Sequence, residues 1–247
     1  MLRLADATWA EVRDLFVADP LAIALLPIGA TEAHGPHLPL ATDVIIAEGL
    51  AKRAALALEA VGRHVACAPP IVYSVTDYAG GFAGTVSISS DTARAYVAEV
   101  CGGLARSGFR RVCLVNAHLE PSHVQCLLGA VVDAKARGVD VIFADNTERR
   151  FARTLTDEYK RGACHAGSYE TSLVLAERPD LVRDLRTRLP AVPIDLVQAM
   201  KQGKATFLEA GAAEAYFGDP ARASVSEGEW IFARLVDMVM VVVRETW

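Results

Sequence analysis

The chain lacks any run of Lys and Arg, any CxxC pair, any long apolar stretch and, between Trp9 and Trp230, any tryptophan. Each absence removes a class of function. With 25 Lys and Arg against 30 Asp and Glu, the formal net charge is -5. That balance offers no electrostatic footprint for a phosphate backbone, so no nucleic-acid partner is expected. The five cysteines, Cys67, Cys101, Cys113, Cys126 and Cys164, are odd in number and without ligand spacing, which argues against a disulfide framework and a thiolate zinc site. Apolar runs such as Met238 to Val243 fall far short of the ~20 residues that cross a bilayer, so no membrane span is expected. The opening MLRLADATWAEVRDLF scatters charges where a secretory signal needs a basic start and an apolar core. A reduced cytoplasm is the expected location. Neither GxGxxG nor GxxxxGK follows a predicted strand, which argues against a nucleotide-binding protein.

What is present is the composition of a globular protein, 52% hydrophobic and rich in Ala, Val and Leu, in 247 residues. That length suits one domain, 1–247, with a single sizeable core. A first helix is predicted around Thr8 to Phe16. The apolar run Leu21 to Ile28 ends at Gly29 as a buried parallel strand does. Helical spacing over 43–58, a strand from His64 to Ala68, and a helix opened by Ser90 or Asp91 and closed by Gly108 follow. Arg111 to Val115 reads as strand, 122–137 as helix, 139–144 as strand, and 167–177 and 226–245 as helices. The alternation predicts an α/β fold: a three-layer α/β/α domain with a mostly parallel central sheet.

In such sheets ligands bind beyond the carboxyl ends of the strands. Two of those loops are rich in metal-ligand types: GATEAHGPHLPLATD (29–43) and NAHLEPSH (116–123). Glu32 and His34 are two apart, as are His118 and Glu120, and in extended backbone such pairs share a face. Asp43 falls at a helix start, where a carboxylate is electrostatically tolerated. Three carboxylates crowded together repel unless divalent cations lie among them, and mixed imidazole and carboxylate ligation suits zinc, manganese or iron. His37, His64 and His123 are read as ordinary loop or capping histidines.

These residues carry a resemblance. PIGATEAHGPHLPLATD is similar to the first signature of the creatininase family. FAGTVSIS (82–89), VNAHLEP, HAGSYETSLVLAERPDLV (165–182) and YFGDPARASVSEGE (216–229) resemble its later segments, in order and at family-like spacing. The resemblance implies two divalent ions per chain, Zn2+ or Mn2+ with Fe2+ admissible. One would be held by Glu32, Asp43 and His118, the other by His34, Asp43 and Glu120. It further implies amide hydrolysis through a hydroxide held between the metals, with His165 and Glu120 as catalytic groups. His165 would supply the proton for the departing nitrogen. A small, possibly cyclic amide is the expected substrate, with other hydrolytic branches (a formamide deformylase, a peptide-trimming enzyme, a cyclic diketone hydrolase) as alternatives. A homo-oligomer, a hexamer, is implied, and the apolar 230–243 stretch is read as support for it.

Departures bear on substrate. Creatininase proper closes over its ring with tryptophans, one of them four residues before the catalytic His, where this chain has Arg161. Arg161 is therefore expected to meet an anionic substrate group. Tyr73, Ser168 and Glu170 are the other expected substrate contacts, with orientation of His165 an alternative role for Glu170.

Overall fold

The computed structural model describes residues 1–247. Five strands, β1 (Leu2–Arg3), β2 (Ile23–Ile28), β3 (Val65–Cys67), β4 (Arg111–Asn116) and β5 (Asp140–Ala144), form one sheet in the order β1-β3-β2-β4-β5. Every pairing is parallel, with Ile23 opposite both Val65 and Arg111, and Val112 opposite Val141.

Because side chains alternate across a strand, β2 feeds two cores. Ile23 and Leu25 point to one face with Cys113, Val115 and Ile142, beneath α2 (Thr42–Ala60), α7 (Ser168–Glu177) and α10 (Val225–Thr246). Ala24, Leu26 and Ile28 point to the other with Val112, Leu114 and Val141, beneath α3 (Ser90–Ser107) and α4 (Pro121–Ala136). The amphipathic α1 (Trp9–Ala18) closes the second layer with Val12, Leu15 and Phe16. All six residues of β2 are buried, which is why it reads as an unbroken apolar run.

The expected three-layer architecture is present. Caps shift by a residue: Ser89, not Ser90 or Asp91, accepts the Thr92 amide at the start of α3, and Thr8 with Glu11 forms a capping box on α1. Beyond β5 the chain adds short helices unseen in the periodicity: α5 (Arg149–Ala152), α6 (Asp157–Lys160), α8 (Leu196–Lys201) and α9 (Phe207–Ala210). The apolar side of α10 does not face outward. Ile231, Phe232, Leu235, Met238, Val239, Val242 and Val243 are consumed in the chain's own first core, so this helix lends no support to subunit packing. No helix is long and apolar enough to cross a membrane.

Candidate metal centre

The loops beyond β2 and β4 converge at the carboxyl edge of the sheet. After β2 the chain leaves at Gly29, whose amide donates to the Ile71 carbonyl at 3.0 Å. A Cβ on Gly29 would stand 2.6 Å from the Val44 amide nitrogen and 2.8 Å from the Asp43 Cβ. Only glycine lets the first turn of α2 press against the strand end, and that approach brings Asp43 to the loop carrying Glu32 and His34.

The side chains converge, with the ligand-type atoms of each group within 4.8 Å of one another. His118 Nδ1 lies 3.2 Å from Glu32 Oε1 and 3.0 Å from Asp43 Oδ2. His34 Nε2 lies 3.2 Å from Asp43 Oδ1, 3.5 Å from Glu170 Oε2 and 3.6 Å from Glu32 Oε1. Two groups of three result, Glu32 with Asp43 and His118, and His34 with Asp43 and Glu170, sharing Asp43. A third combination, Glu32, His34 and His165, overlaps them. All of these residues are buried.

Outer hydrogen bonds choose the ring nitrogen that faces inward. The His118 Nε2–H donates to the Val75 carbonyl at 2.8 Å, leaving the Nδ1 lone pair for the centre. The His34 Nδ1–H is directed at the Glu32 carbonyl at 3.2 Å, leaving Nε2. Thr76 donates its hydroxyl to Glu32 Oε2. His34 Nε2 and Asp43 Oδ2 are buried without a hydrogen-bond partner, although both belong to strongly polar groups. Orphaned atoms of that kind, aimed at one point and supplied with tautomer-setting partners, fit divalent cations.

The electrostatics agree. Burial alone would lower the His34 imidazole, but Asp43, Glu170 and Glu32 outweigh it and hold it up at about 10. His118 is likewise raised against burial by Glu32 and Asp43. Burial, reinforced by Asp43 and Glu32, pushes the Glu170 carboxyl up to about 8 despite His34. The pocket thus concentrates negative potential that protons otherwise neutralise, and divalent cations compete for the same place.

Not every expected residue arrives. Glu120 lines the cavity beside the cluster but belongs to neither ligand group. It sits at the N-cap of α4, and its carboxylate accepts from the Ser122 hydroxyl at 2.5 Å and the amides of Asp77 and Tyr78 at 3.3 and 3.2 Å. Those donors hold it in the cavity lining, and Glu170, from the first turn of α7, stands with His34 and Asp43 in the second group. Arg161 and Ser168 line a separate groove of about 760 Å³, not the metal cavity. The Arg161 guanidinium donates to the Asp157 carbonyl, and the Ser168 hydroxyl to Glu227 at 2.5 Å. Tyr73 is 46% exposed and outside the cavity lining.

His165 stands at the edge of the cluster. Its Nε2–H donates to the Ala33 carbonyl at 3.0 Å, so Nδ1 faces Glu32 Oε1 at 3.8 Å. Burial, with His34 nearby, pushes its imidazole down to about 4 and keeps it neutral. The next residue, Ala166, has φ of 52°, an uncommon left-handed conformation without glycine. That turn sends the Ala166 amide to Glu170 Oε2 at 2.7 Å. The Phe207 ring lies 4.3 Å from His165, centroid to centroid, and joins Tyr78, Leu119, Leu196 and Met200 as the apolar wall of a cavity of about 50 Å³. No spacing in the sequence announces Phe207, Leu196 or Met200, which lie in short helices joined by an irregular chain.

The residues 5–243 match the creatininase family, described as creatinine amidohydrolase, and the chain belongs to that family. It is 34% identical over 223 residues to the mycofactocin precursor peptide peptidase of Mycobacterium ulcerans (strain Agy99), covering 86% of this chain and 81% of that protein. It is 31% identical over 193 residues to the creatinine amidohydrolase of Pseudomonas putida, covering 72% and 73%. Among solved structures, a mutant creatininase complexed with creatine superposes with a TM-score of 0.75 at 26% identity, over 99% of this chain and 98% of that one. A further one, "Creatininase Mn", superposes with a TM-score of 0.77 at 24% identity, over 99% and 98%, a likeness of fold.

Proposed function

We propose that this chain is a binuclear metal-dependent hydrolase that cleaves a C–N bond of an amide. The observation that carries the reading is the pair of ligand groups sharing Asp43, with His34 Nε2 and Asp43 Oδ2 buried and unpartnered at their centre. Glu32, Asp43 and His118 would hold one cation, and His34, Asp43 and Glu170 the other. Zinc or manganese suits this donor set, with ferrous iron also compatible. Divalent cations there supply Lewis acidity, polarising an amide carbonyl and acidifying water.

The chain's own residues do the rest. His165 is fixed by the Ala33 carbonyl with Nδ1 free toward the cluster, so it can take a proton there and pass it to the departing nitrogen. The Phe207 ring packs against that imidazole, 4.3 Å centroid to centroid. Glu120, its carboxylate accepting from two amides and a hydroxyl, lines the cavity as a fixed acceptor rather than as a ligand.

For the substrate, the apolar wall and narrow cavity support a compact, possibly cyclic, non-peptide amide. The absence of tryptophan at the cavity argues against creatinine as the particular ring. Peptide trimming is the second reading, favoured by the peptidase relatives that share 34% identity over most of their length. A homo-oligomer, in the form of a hexamer, and a cytoplasmic location are part of the same proposal.

The test is metal analysis of the purified protein, followed by assays of lactams, cyclic ureas, formamides and short peptides with zinc or manganese added. A metal-replete preparation with about two ions per chain and chelator-sensitive amide hydrolysis is expected. One ion or none at these side chains would sink the reading.

A further inference from the structure

Ser74, His123 and Asn116 are 1%, 0% and 2% exposed and do not line the metal cavity. They are joined by hydrogen bonds whose directions can be worked out from the backbone outward. The His118 amide is only a donor and points at Asn116 Oδ1 at 3.2 Å, and the His118 carbonyl is only an acceptor and meets Asn116 Nδ2 at 2.6 Å. Those two contacts fix which end of the Asn116 amide is oxygen. Oδ1 can only accept, so His123 Nε2, 2.9 Å away, carries the hydrogen. His123 Nδ1 is then a lone pair, and the Ser74 hydroxyl at 2.6 Å must donate to it.

Serine, histidine and asparagine in this order look like a nucleophile, its base and an orienting amide. A nucleophile needs access, and this serine is sealed in protein, so that role is set aside. The other end of the chain supplies a better one. Ser74 precedes Val75, whose carbonyl accepts the His118 Nε2–H at 2.8 Å. One two-residue segment therefore grips His118 twice, at its ring through Val75 and at its backbone through Ser74, His123 and Asn116. The ring is held with Nδ1 toward Glu32 and Asp43.

We propose that Ser74, His123 and Asn116 are positioning residues for the metal ligand His118, with His123 acting as the neutral Nε2–H tautomer. The proposal rests on the binuclear reading above. Partners at one remove from a metal ligand commonly affect metal affinity by ~10–100-fold. These hydrogen bonds reach the centre through His118, so their effect should fall chiefly on the cation that His118 would bind.

The test is a zinc titration against a chelating indicator, on the full chain and on His123→Phe, His123→Gln and Ser74→Ala. The parent should bind two equivalents. His123→Phe should weaken one equivalent by ~10–100-fold and leave the other unchanged. His123→Gln, whose amide N–H can still reach Asn116 Oδ1, should stay close to the parent, and Ser74→Ala should lose less, at the same equivalent. Parent affinities in His123→Phe would overturn the proposal, as would equal weakening of both equivalents. If His123→Phe does not fold, Ser74→Ala decides: selective weakening supports the proposal and parent affinities overturn it. A parent that binds fewer than two equivalents would overturn the binuclear reading itself.

Discussion

At the residue scale the centre makes two separable predictions, one about protons and one about ligands. His165 lies outside both ligand groups that share Asp43, so His165→Ala should retain about two cations and lose ~10²–10⁴ in turnover, the range typical of general acid–base groups. Asp43→Ala removes the carboxylate common to both groups and should lose metal as well as rate. Measuring stoichiometry and turnover on the same samples separates them. If His165→Ala sheds metal as readily as Asp43→Ala, His165 is a ligand and the proton donor lies elsewhere. The two remaining glutamates are told apart in the same way. Glu170→Gln should lower metal content by about one equivalent, whereas Glu120→Gln should keep both, because the Glu120 carboxylate is engaged by Ser122 and the amides of Asp77 and Tyr78. Metal loss from Glu120→Gln alone would restore the HxE pairing read from the sequence.

Much of this site was legible residue by residue. ExH, TD and the His of HxE are short-range patterns, and Glu32, His34, Asp43 and His118 do converge. That Glu170 stands with His34 and Asp43 while Glu120 lines the cavity was not legible. The Glu120 carboxylate is engaged by Ser122, two residues on, and also by the amides of Asp77 and Tyr78, far away in sequence. His123 was hidden for a related reason: a histidine in the first turn of a helix looks like a cap until Ser74 and Asn116 are placed on either side of it.

At the scale of elements, the strongest signals were buried parallel strands and helices longer than three turns, where apolar periodicity has room to repeat. Helices of four to six residues and the two-residue β1 escaped because a single turn has no period to read. The pairing of elements leaves its own signature. On the outer layer, α3 and α4 are tied by Arg94, whose guanidinium meets Asp133 at 2.6 and 2.7 Å through two parallel hydrogen bonds. That hydrogen bonding, more than charge proximity, holds the Asp133 carboxyl below its ordinary value. A carboxyl depressed in the folded state adds stability above its unfolded value, near 3.9, and loses it as pH falls through the lower folded value. Asp133→Asn should therefore be slightly less stable than the parent in urea at pH 7, and the gap should close as the pH is lowered below about 4. A gap independent of pH would mean that the pair contributes nothing through charge.

For the whole molecule, one chain buries the apolar side of its own α10 in its first core, so that side is not available for association. Light scattering at micromolar concentration should nevertheless show a closed oligomer, and a monomer would contradict the hexamer proposed from the resemblance. Thiol chemistry reports on the cores from inside. Burial pushes Cys101 and Cys113 up to about 12 and Cys67 to about 11, so these thiols stay protonated at pH 8. A disulfide reagent should react slowly with them in the native protein and quickly with all five cysteines in denaturant. Fast native reaction of Cys101, in α3, or of Cys113, in β4, would show that the cores open more readily than their packing implies.

By itself the sequence determined the layered α/β architecture, the edge of the sheet where the candidate centre lies, and four of the side chains that converge there. These rest on local rules: alternation along strands, periodicity in helices, and the positions of chemical groups beyond strand ends. Only the tertiary structure decided which glutamate stands with His34 and Asp43, that Arg161 and Ser168 face a different groove, and that Phe207 rather than a tryptophan packs against His165. Those outcomes turn on contacts between segments tens of residues apart, where the packing of one loop determines which side chain finds room, and no local pattern encodes that competition.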